Sequence, residues 1–217
     1  MVIKLIGIIL LGYFLGAIPF GIIIGKFAHG IDVRKYGSGN IGFANVLRTA
    51  GTRAGVATLL CDVAKGALPA WLATIIIGGS TAATGALSLD SHGAQVIAAL
   101  AAVIGHNWPI YLRFRGGKGV DTSLGGLIAM SPWIGLTCLA IGLVIIFTSR
   151  YVSVGSMLGT LSSVLILAPL VILGHQPLEY LIYGSIATIL VIYRHRGNIA
   201  NLRAGTERRL GQKGEKR

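Results

Sequence analysis

The sequence predicts an all-α polytopic membrane protein, and three observations support this fold class. Hydrophobic residues make up 53% of the 217 residues, whereas charged residues make up only 12%. A soluble domain carries about twice that share of charge. The 19 Lys and Arg residues outnumber the 7 Asp and Glu residues, and they cluster between long apolar segments, as in the cytoplasmic loops of membrane proteins. We therefore expect one transmembrane domain over residues 1–217.

The apolar segments predict seven spanning helices, with the N-terminus outside and the C-terminus in the cytoplasm. They are Val2–Ile24, Ala54–Ile77, Gly93–Ile110, Val120–Met130, Trp133–Thr148, Val152–Leu173 and Leu178–Tyr193. This count places every basic loop on one side and leaves Gly78–His92, which lacks Lys and Arg, outside. A crossing helix needs about 20 apolar residues, so Val120–Met130 is expected to start below the membrane surface.

Two local features are expected near the N-terminus. Pro19 should kink the first segment, because proline removes a helix hydrogen bond. That segment lacks a small-residue cleavage site and is expected to be a retained span. The basic loop Gly25–Thr52 follows, and within it Ile41–Ala50 is apolar on one side, which favours a short helix.

Composition and motifs argue against several classes of function. Cys61 and Cys138 both lie in apolar runs and offer no disulfide framework or metal-ligand spacing. The basic charge is divided among short loops, which differs from the continuous basic surface of a nucleic-acid-binding protein. No zinc, redox-cofactor or paired-carboxylate motif is present. We expect no metal, no cofactor, no nucleic acid and no obligatory protein partner.

The first polar motif is GSGNIGFANVLR, at Gly37–Arg48. Its glycines let the backbone approach a ligand closely, and successive N–H groups in such a turn can bind an anion. Arg48 can hold a phosphate through two hydrogen bonds. The candidate phosphate-binding residues are Gly39, Asn40 and Asn45, with Ser38 and Arg48 as candidate catalytic residues. The alternative is a flexible glycine-rich connector.

The second motif, RFRGGKG, has the composition of a phosphate-binding loop. Gly116, Gly117, Lys118 and Gly119 are its candidate ligands. It is not a nucleotide P-loop, because Gly119 stands where a P-loop needs Ser or Thr to hold magnesium. The alternative is a basic loop that binds anionic lipid headgroups.

The third motif, RHRGNIANLRAGTE, begins where the last apolar segment ends. His195 and Asn198 are three residues apart and can share a helix face, which suits a catalytic pair facing phosphate. A lone histidine is otherwise more often structural. Glu207 is expected to anchor the tail by pairing with an arginine.

An unusual pair of charges lies within the second apolar segment. Asp62 and Lys65 are also three residues apart, and ionisable residues at membrane depth usually pair with one another or form a site. We favour a structural ion pair that joins helices.

Three stretches in this order are GSGNIGFANVLR at 37–48, GHNWPIYLRFRGGKG at 105–119 and HRGNIANLRAGTE at 195–207. They closely resemble the acyl-phosphate-dependent glycerol-3-phosphate acyltransferases of bacterial membranes, the PlsY family. The resemblance implies transfer of a fatty acyl group from acyl phosphate to the 1-hydroxyl of glycerol 3-phosphate, at the cytoplasmic face of the inner membrane and in contact with membrane lipid. It implies essential roles for Ser38 and Arg48, a glycerol-3-phosphate site at the Gly-Lys loop, active-site roles for His195 and Asn198, and a structural role for Glu207. Three departures from the family pattern are Phe43-Ala44, Asp121 and Asn201.

Acyl phosphate is already activated, so we expect direct attack without an acyl-enzyme intermediate. The protein needs only to hold two phosphates together and to aim the hydroxyl at the carbonyl. The alternative function is a transporter or channel for an anionic phosphorylated solute. The polar motifs, which are all predicted on one side of the membrane, argue against it.

Overall fold

The computed structural model describes residues 2–77, 82–84, 87–212 and 214–216, and helices dominate this part of the chain. The α-helices are α1 (Val2–Ala17), α2 (Phe20–His29), α3 (Phe43–Ile77), α4 (Ser91–Asn107), α5 (Val120–Met130), α6 (Pro132–Ser149), α7 (Val152–Ile172), α8 (Leu178–Arg194) and α9 (Arg196–Arg203). Two short strands, β1 (Ala82–Thr84) and β2 (Leu87–Leu89), pair antiparallel with Ala82 opposite Leu89. Single 3₁₀ turns lie at Val33–Lys35 and Ile110–Leu112.

Five helical segments of the described chain are long and apolar enough to cross a membrane. They are Val2–His29, Phe43–Ile77, Ser91–Leu112, Pro132–Ser149 and Val152–Ile172. The helix α5 has 11 residues and α8 has 17, so both are shorter than a full crossing. Large apolar side chains such as Ile3, Trp133 and Phe147 point outward and are exposed, as expected of a surface that faces lipid. The all-helical membrane architecture thus agrees with the sequence.

The predicted basic loop at Gly25–Thr52 is wrong at both ends. The predicted kink is present, because α1 and α2 are separate helices on either side of Ile18 and Pro19. However, α2 continues to His29 and ends where Gly30 adopts a left-handed conformation with φ 66°. The predicted helix near Ile41–Ala50 is also present, but it is joined to the next span. Gly51, at φ 79° and ψ 175°, breaks α3 at the junction.

The later helices agree with the predicted segments within a few residues, and Val120–Met130 agrees at both ends. The α4 helix starts earlier than expected because the Asp90 side chain accepts a hydrogen bond from the Gly93 N–H and caps it. The strand pair was not predicted. Part of the predicted exterior loop Gly78–His92 lies outside the described residues.

The largest apolar core joins α3 through α8. Its buried members are Ala70, Val96, Ala99, Leu127, Met130, Ile134, Cys138, Leu167, Tyr180, Tyr183 and Ala187. The α3 and α5 helices touch through their backbones, because a Cβ on Gly66 would overlap the Thr122 carbonyl and one on Gly125 would overlap the Val63 carbonyl. Small residues permit such close packing of membrane helices. This contact fixes the start of α5 against the middle of α3.

The C-terminal tail returns to the first polar motif. The Gly37 N–H donates to the Glu215 carbonyl at 2.8 Å, and the Gly214 N–H donates to the Arg48 carbonyl at 3.3 Å. Tyr36 and Lys216 form an antiparallel bridge. The tail therefore lies along the first motif and is held to it by main-chain contacts.

Candidate active site

One polar cavity gathers residues from all three sequence motifs. Its lining includes Ser38, Asn40, Asn45 and Arg48 from the first motif, Lys118 and Gly119 from the second, and His195, Asn198 and Glu207 from the third. A wider depression outside it is lined by Arg194, Arg196 and Arg208 as well. The cavity thus carries several cationic groups around a small polar space, which suits a ligand with phosphate groups.

The first motif forms a tight loop around Asn45. The Asn45 Nδ2 group donates to the carbonyls of Val33, Tyr36 and Asn40 at 2.9, 3.3 and 2.8 Å. Its Oδ1 accepts the Ser38 N–H at 2.8 Å. The structure therefore corrects the expectation that Asn45 binds phosphate, because its amide is occupied in holding the loop that presents Ser38.

Conformation and hydrogen bonds fix the remaining residues of that loop. Gly37 and Gly39 have φ of 54° and 73°, a region that strongly favours glycine. The Asn40 Oδ1 accepts the Gly42 N–H at 2.9 Å, so the Asn40 Nδ2 remains to face the cavity. Arg48 lies on the first turns of α3, and its side chain lines the same cavity as Ser38.

The second motif forms a loop held between α4 and α8, which we call the phosphate loop (residues 116–119). Gly116 and Gly117 donate their N–H groups to the carbonyls of Asn107 and His106, at 3.2 and 3.0 Å. These two glycines were predicted to bind phosphate, but their amides are directed at α4. A Cβ on Gly117 would overlap the His106 ring, so this glycine is needed for packing.

The cavity-facing part of the phosphate loop is its second half. Lys118 and Gly119 both line the cavity, and Gly119 is the N-cap of α5. In the described chain their amide N–H groups make no hydrogen bond to a protein acceptor. The N-terminus of a helix carries free N–H groups and a partial positive charge, which favour phosphate.

Arg194 holds the other side of the phosphate loop, a role that the sequence analysis missed. Its Nε donates to the Gly117 carbonyl at 2.9 Å and its Nη2 to the Gly116 carbonyl at 3.0 Å. The guanidinium also lies over the Trp108 ring, at 5.4 Å from the centroid. The only available signal was its position beside His195 at the end of an apolar segment.

A chain of side-chain hydrogen bonds links the second and third motifs. Lys118 Nζ donates to Asn198 Oδ1 at 2.5 Å, and Asn198 Nδ2 donates to Glu207 Oε1 at 2.6 Å. The same carboxylate oxygen accepts the Ser153 hydroxyl at 2.7 Å. Glu207 therefore anchors the tail through Asn198 and Ser153 rather than through the predicted arginine. Ser153, on α7, was not identified from the sequence.

His195 is buried, and its orientation is fixed by one hydrogen bond. Nδ1 lies 2.8 Å from the Val191 carbonyl, and because a carbonyl only accepts, Nδ1 carries the hydrogen. Burial, with a contribution from Lys118, lowers the pKa of His195 to about 3. The ring is therefore neutral near pH 7, and Nε2 keeps a lone pair that can accept a hydrogen bond.

The predicted ion pair inside the bundle is present. Lys65 Nζ lies 2.7 Å from Asp62 Oδ1, and both side chains are buried. Lys65 also donates to the Ile18 carbonyl at 3.1 Å, in the break between α1 and α2. The pair thus ties α3 to the first span. Within the described residues, no three His, Cys, Asp or Glu side chains lie together as metal ligands.

An apolar cavity adjoins the polar one. The two share Phe43, Val120, Asp121 and Ser156 in their walls. From there the apolar cavity extends between α5, α6, α7 and α8, and its lining includes Leu127, Leu139, Leu143 and Tyr183. An amphipathic ligand with a phosphate head and an apolar tail fits this pair of cavities.

Comparison with known proteins agrees with this geometry. The family model for glycerol-3-phosphate acyltransferase matches residues 6–205. Glycerol-3-phosphate acyltransferase 3 of Dehalococcoides mccartyi strain CBDB1 is 39% identical, over 98% of this chain and 99% of its own. The glycerol-3-phosphate acyltransferase of Rubrobacter xylanophilus is 46% identical over 94% of each chain.

Two crystal structures of PlsY, an integral membrane glycerol 3-phosphate acyltransferase, have the same fold. Each is 36% identical to this chain. The glycerol 3-phosphate form has a TM-score of 0.82 and aligns with 95% of this chain and 96% of its own. The lysophosphatidic acid form has a TM-score of 0.80 and aligns with 95% of both chains. These matches favour an enzyme over a transporter, and the chain belongs to the glycerol-3-phosphate acyltransferase family.

Proposed function

We propose that this protein transfers a fatty acyl group from acyl phosphate to the 1-hydroxyl of glycerol 3-phosphate, giving lysophosphatidic acid and inorganic phosphate. One observation carries the proposal: a cationic polar cavity and an apolar cavity share a wall at Phe43, Val120, Asp121 and Ser156. The head and tail of acyl phosphate match this pair. The PlsY crystal structures with glycerol 3-phosphate and lysophosphatidic acid support the acceptor and the product.

The two phosphates occupy different parts of the polar cavity in this proposal. Lys118, Gly119 and the N-terminus of α5 bind the phosphate of glycerol 3-phosphate. Ser38, Asn40 and Arg48 bind the phosphate of the donor, whose tail extends into the apolar cavity. The cations offset the repulsion between the two anions, which lets the reacting groups approach.

The reaction is a direct displacement. The 1-hydroxyl oxygen forms a bond to the acyl carbonyl carbon, and the bond from that carbon to the phosphate oxygen breaks. His195 Nε2 accepts a hydrogen bond from the hydroxyl and orients it, and the hydroxyl proton passes to the departing phosphate, which titrates at about pH 6. Ser38 donates to the oxyanion that develops on the carbonyl, a type of contact that stabilises such transition states. Asn198 keeps Lys118 in place through its hydrogen bond.

The membrane arrangement in this proposal keeps seven crossings in a single domain. In addition to the five long segments, α5 and α8 cross, and the cavity opens to the cytoplasm at the inner membrane. The C-terminal stretch from residue 194 to 217 holds eight Lys and Arg, which supports a cytoplasmic C-terminus. In cells, an impermeant thiol reagent should label His175→Cys directly and Gln212→Cys only after permeabilisation, in a chain lacking Cys61 and Cys138. The reverse pattern contradicts the orientation.

Product analysis tests the function. Purified protein is mixed with palmitoyl phosphate and glycerol 3-phosphate, and lipids and phosphate are measured over time. We expect lysophosphatidic acid and phosphate in equal amounts, and no product when an acyl thioester replaces acyl phosphate. A stable acyl group on Ser38 overturns direct attack. Movement of glycerol 3-phosphate across vesicles without product overturns the enzyme assignment.

A further inference from the structure

A group of buried polar side chains lies directly beneath the phosphate loop. It consists of Asp62, Lys65, His106, Asn107 and Thr122, which come from α3, α4 and α5, and we call it the polar floor. All five are at most 4% exposed. His106 Nδ1 lies 3.8 Å from Asp62 Oδ1, and the main-chain carbonyl of Thr122 packs against Gly66 of α3, one turn beyond Asp62.

The polar floor holds the phosphate loop through two adjacent residues. The carbonyls of His106 and Asn107 accept the N–H groups of Gly117 and Gly116. Their side chains also lie against the loop: a Cβ on Gly117 would overlap the His106 ring, and one on Gly119 would come within 2.9 Å of Asn107 Oδ1. A change in the orientation of either side chain therefore moves the loop.

Several atoms of the polar floor have no hydrogen-bond partner among the described residues. They are Asp62 Oδ2, His106 Nδ1, both amide atoms of Asn107 and Thr122 Oγ1, whereas Asp62 Oδ1 is paired with Lys65 Nζ at 2.7 Å. Lys65 compensates the charge of Asp62 but leaves most of these hydrogen-bonding groups unused. A buried polar atom left unpaired costs about 1–3 kcal/mol, and ordered water with 2–4 polar partners is the usual solution.

We propose that the polar floor is an internal water-binding site that positions the phosphate loop, with His106 as the positioning residue. The separation of 3.8 Å between His106 Nδ1 and Asp62 Oδ1 is too long for a direct hydrogen bond, and one water in contact with His106 Nδ1 and the Asp62 carboxylate links the two side chains. This water fixes the His106 ring against Gly117. A second water bridges Asn107 and Thr122, because Gly119 contacts the Asn107 amide and Thr122 lies three residues later, on the same helix face. The inference rests on the proposed function of the loop as the glycerol-3-phosphate site.

The variant Thr122→Val distinguishes this proposal from the alternative that the polar floor is packed without water. The two side chains have nearly the same shape, so replacing a hydroxyl that binds nothing leaves function unchanged and is neutral or stabilising. If the hydroxyl holds water that supports the loop, KM for glycerol 3-phosphate rises about fivefold or more, as expected for loss of about 1 kcal/mol of positioning. In that case kcat and KM for acyl phosphate stay within about twofold.

Tyr180→Phe is the matched control. It removes a buried hydrogen bond of 2.7 Å from Tyr180 to Gln95, near the opposite end of α4 from His106. We expect a lower melting temperature with both KM values unchanged. If Thr122→Val leaves KM for glycerol 3-phosphate unchanged, or raises both KM values together, the positioning role is overturned.

A crystal structure of the unmodified protein that resolves ordered water tests the site without any assay of activity. We expect density within hydrogen-bond distance of both His106 Nδ1 and Asp62, and near Asn107. A dry floor overturns the water site even if the enzyme makes lysophosphatidic acid. Conversely, if water is present at the polar floor but the protein makes no lysophosphatidic acid, the water site is supported and the proposed function is refuted.

Discussion

Acyl transfer should slow at alkaline pH because Lys118 loses its proton there. Burial in the cavity wall is the main cause that lowers the pKa of Lys118 from 10.5 to about 8; Glu207 opposes this, and Arg48 and Arg194 add to it. A group with a pKa of about 8 is about 90% protonated at pH 7 and about 10% at pH 9. Since only the ammonium form attracts phosphate, kcat/KM for glycerol 3-phosphate should fall about tenfold over this range.

Release of phosphate from acyl phosphate, with the rate without glycerol 3-phosphate subtracted, measures this profile at constant ionic strength. In Lys118→Arg the fall should be absent, because a guanidinium stays protonated to about pH 12. Lys118→Met should show a low, flat profile. Because bound phosphate stabilises the ammonium form, kcat should hold to a higher pH than kcat/KM. A wild-type profile that is flat to about pH 9.5, or an equal fall in Lys118→Met, refutes the reasoning.

Three further substitutions test how the site is held. Gly117→Ala should reduce kcat/KM at least about 100-fold, because the added methyl overlaps the His106 ring. The control Gly7→Ala should have no effect, since a methyl at Gly7 has no neighbour within 4 Å. Equal activities of the two variants would contradict the packing assigned to Gly117. Arg194→Lys should raise KM for glycerol 3-phosphate about tenfold with little change in kcat, because lysine lacks the planar fork that aims two N–H groups at the two loop carbonyls. An unchanged KM would exclude this role of Arg194. His195→Ala should lower kcat about tenfold with KM unchanged, because the hydrogen bond that orients the hydroxyl is lost, and full activity would exclude this orienting role.

The sequence predicted the broad architecture because membrane helices are encoded locally. Continuous apolar runs set α5 at both of its ends and α6 to α8 within a residue or two. The first basic loop was misjudged because charge was used as the boundary. Lys26 lies within α2 and Arg48 within α3, so these helices continue beyond the apolar runs into polar surroundings.

The residue types in the candidate site were predictable from the sequence, but which of them face the ligand and which hold the loops in place was not. Glycine, asparagine, arginine and lysine in short motifs indicated phosphate binding. Which of them face the ligand depends on contacts between distant residues, such as Arg194 with Gly116, 78 positions apart, and Ser153 with Glu207, 54 positions apart. Asn45 illustrates the same limit, because an asparagine amide can equally well bind a ligand or hold a loop through hydrogen bonds to its main chain.

The returning C-terminal tail has a consequence for tolerance to change. Its contacts with Gly37 and Arg48 are made by main-chain atoms. They therefore depend on the path and length of the tail and not on the side chains of Glu215 and Lys216. Gly214 is the exception, because a Cβ there would come within 2.6 Å of Thr49 Cγ2. The side chains at Glu215 and Lys216 are therefore free to diverge, whereas a deletion that shortens the tail removes these main-chain contacts from the loop that carries Ser38.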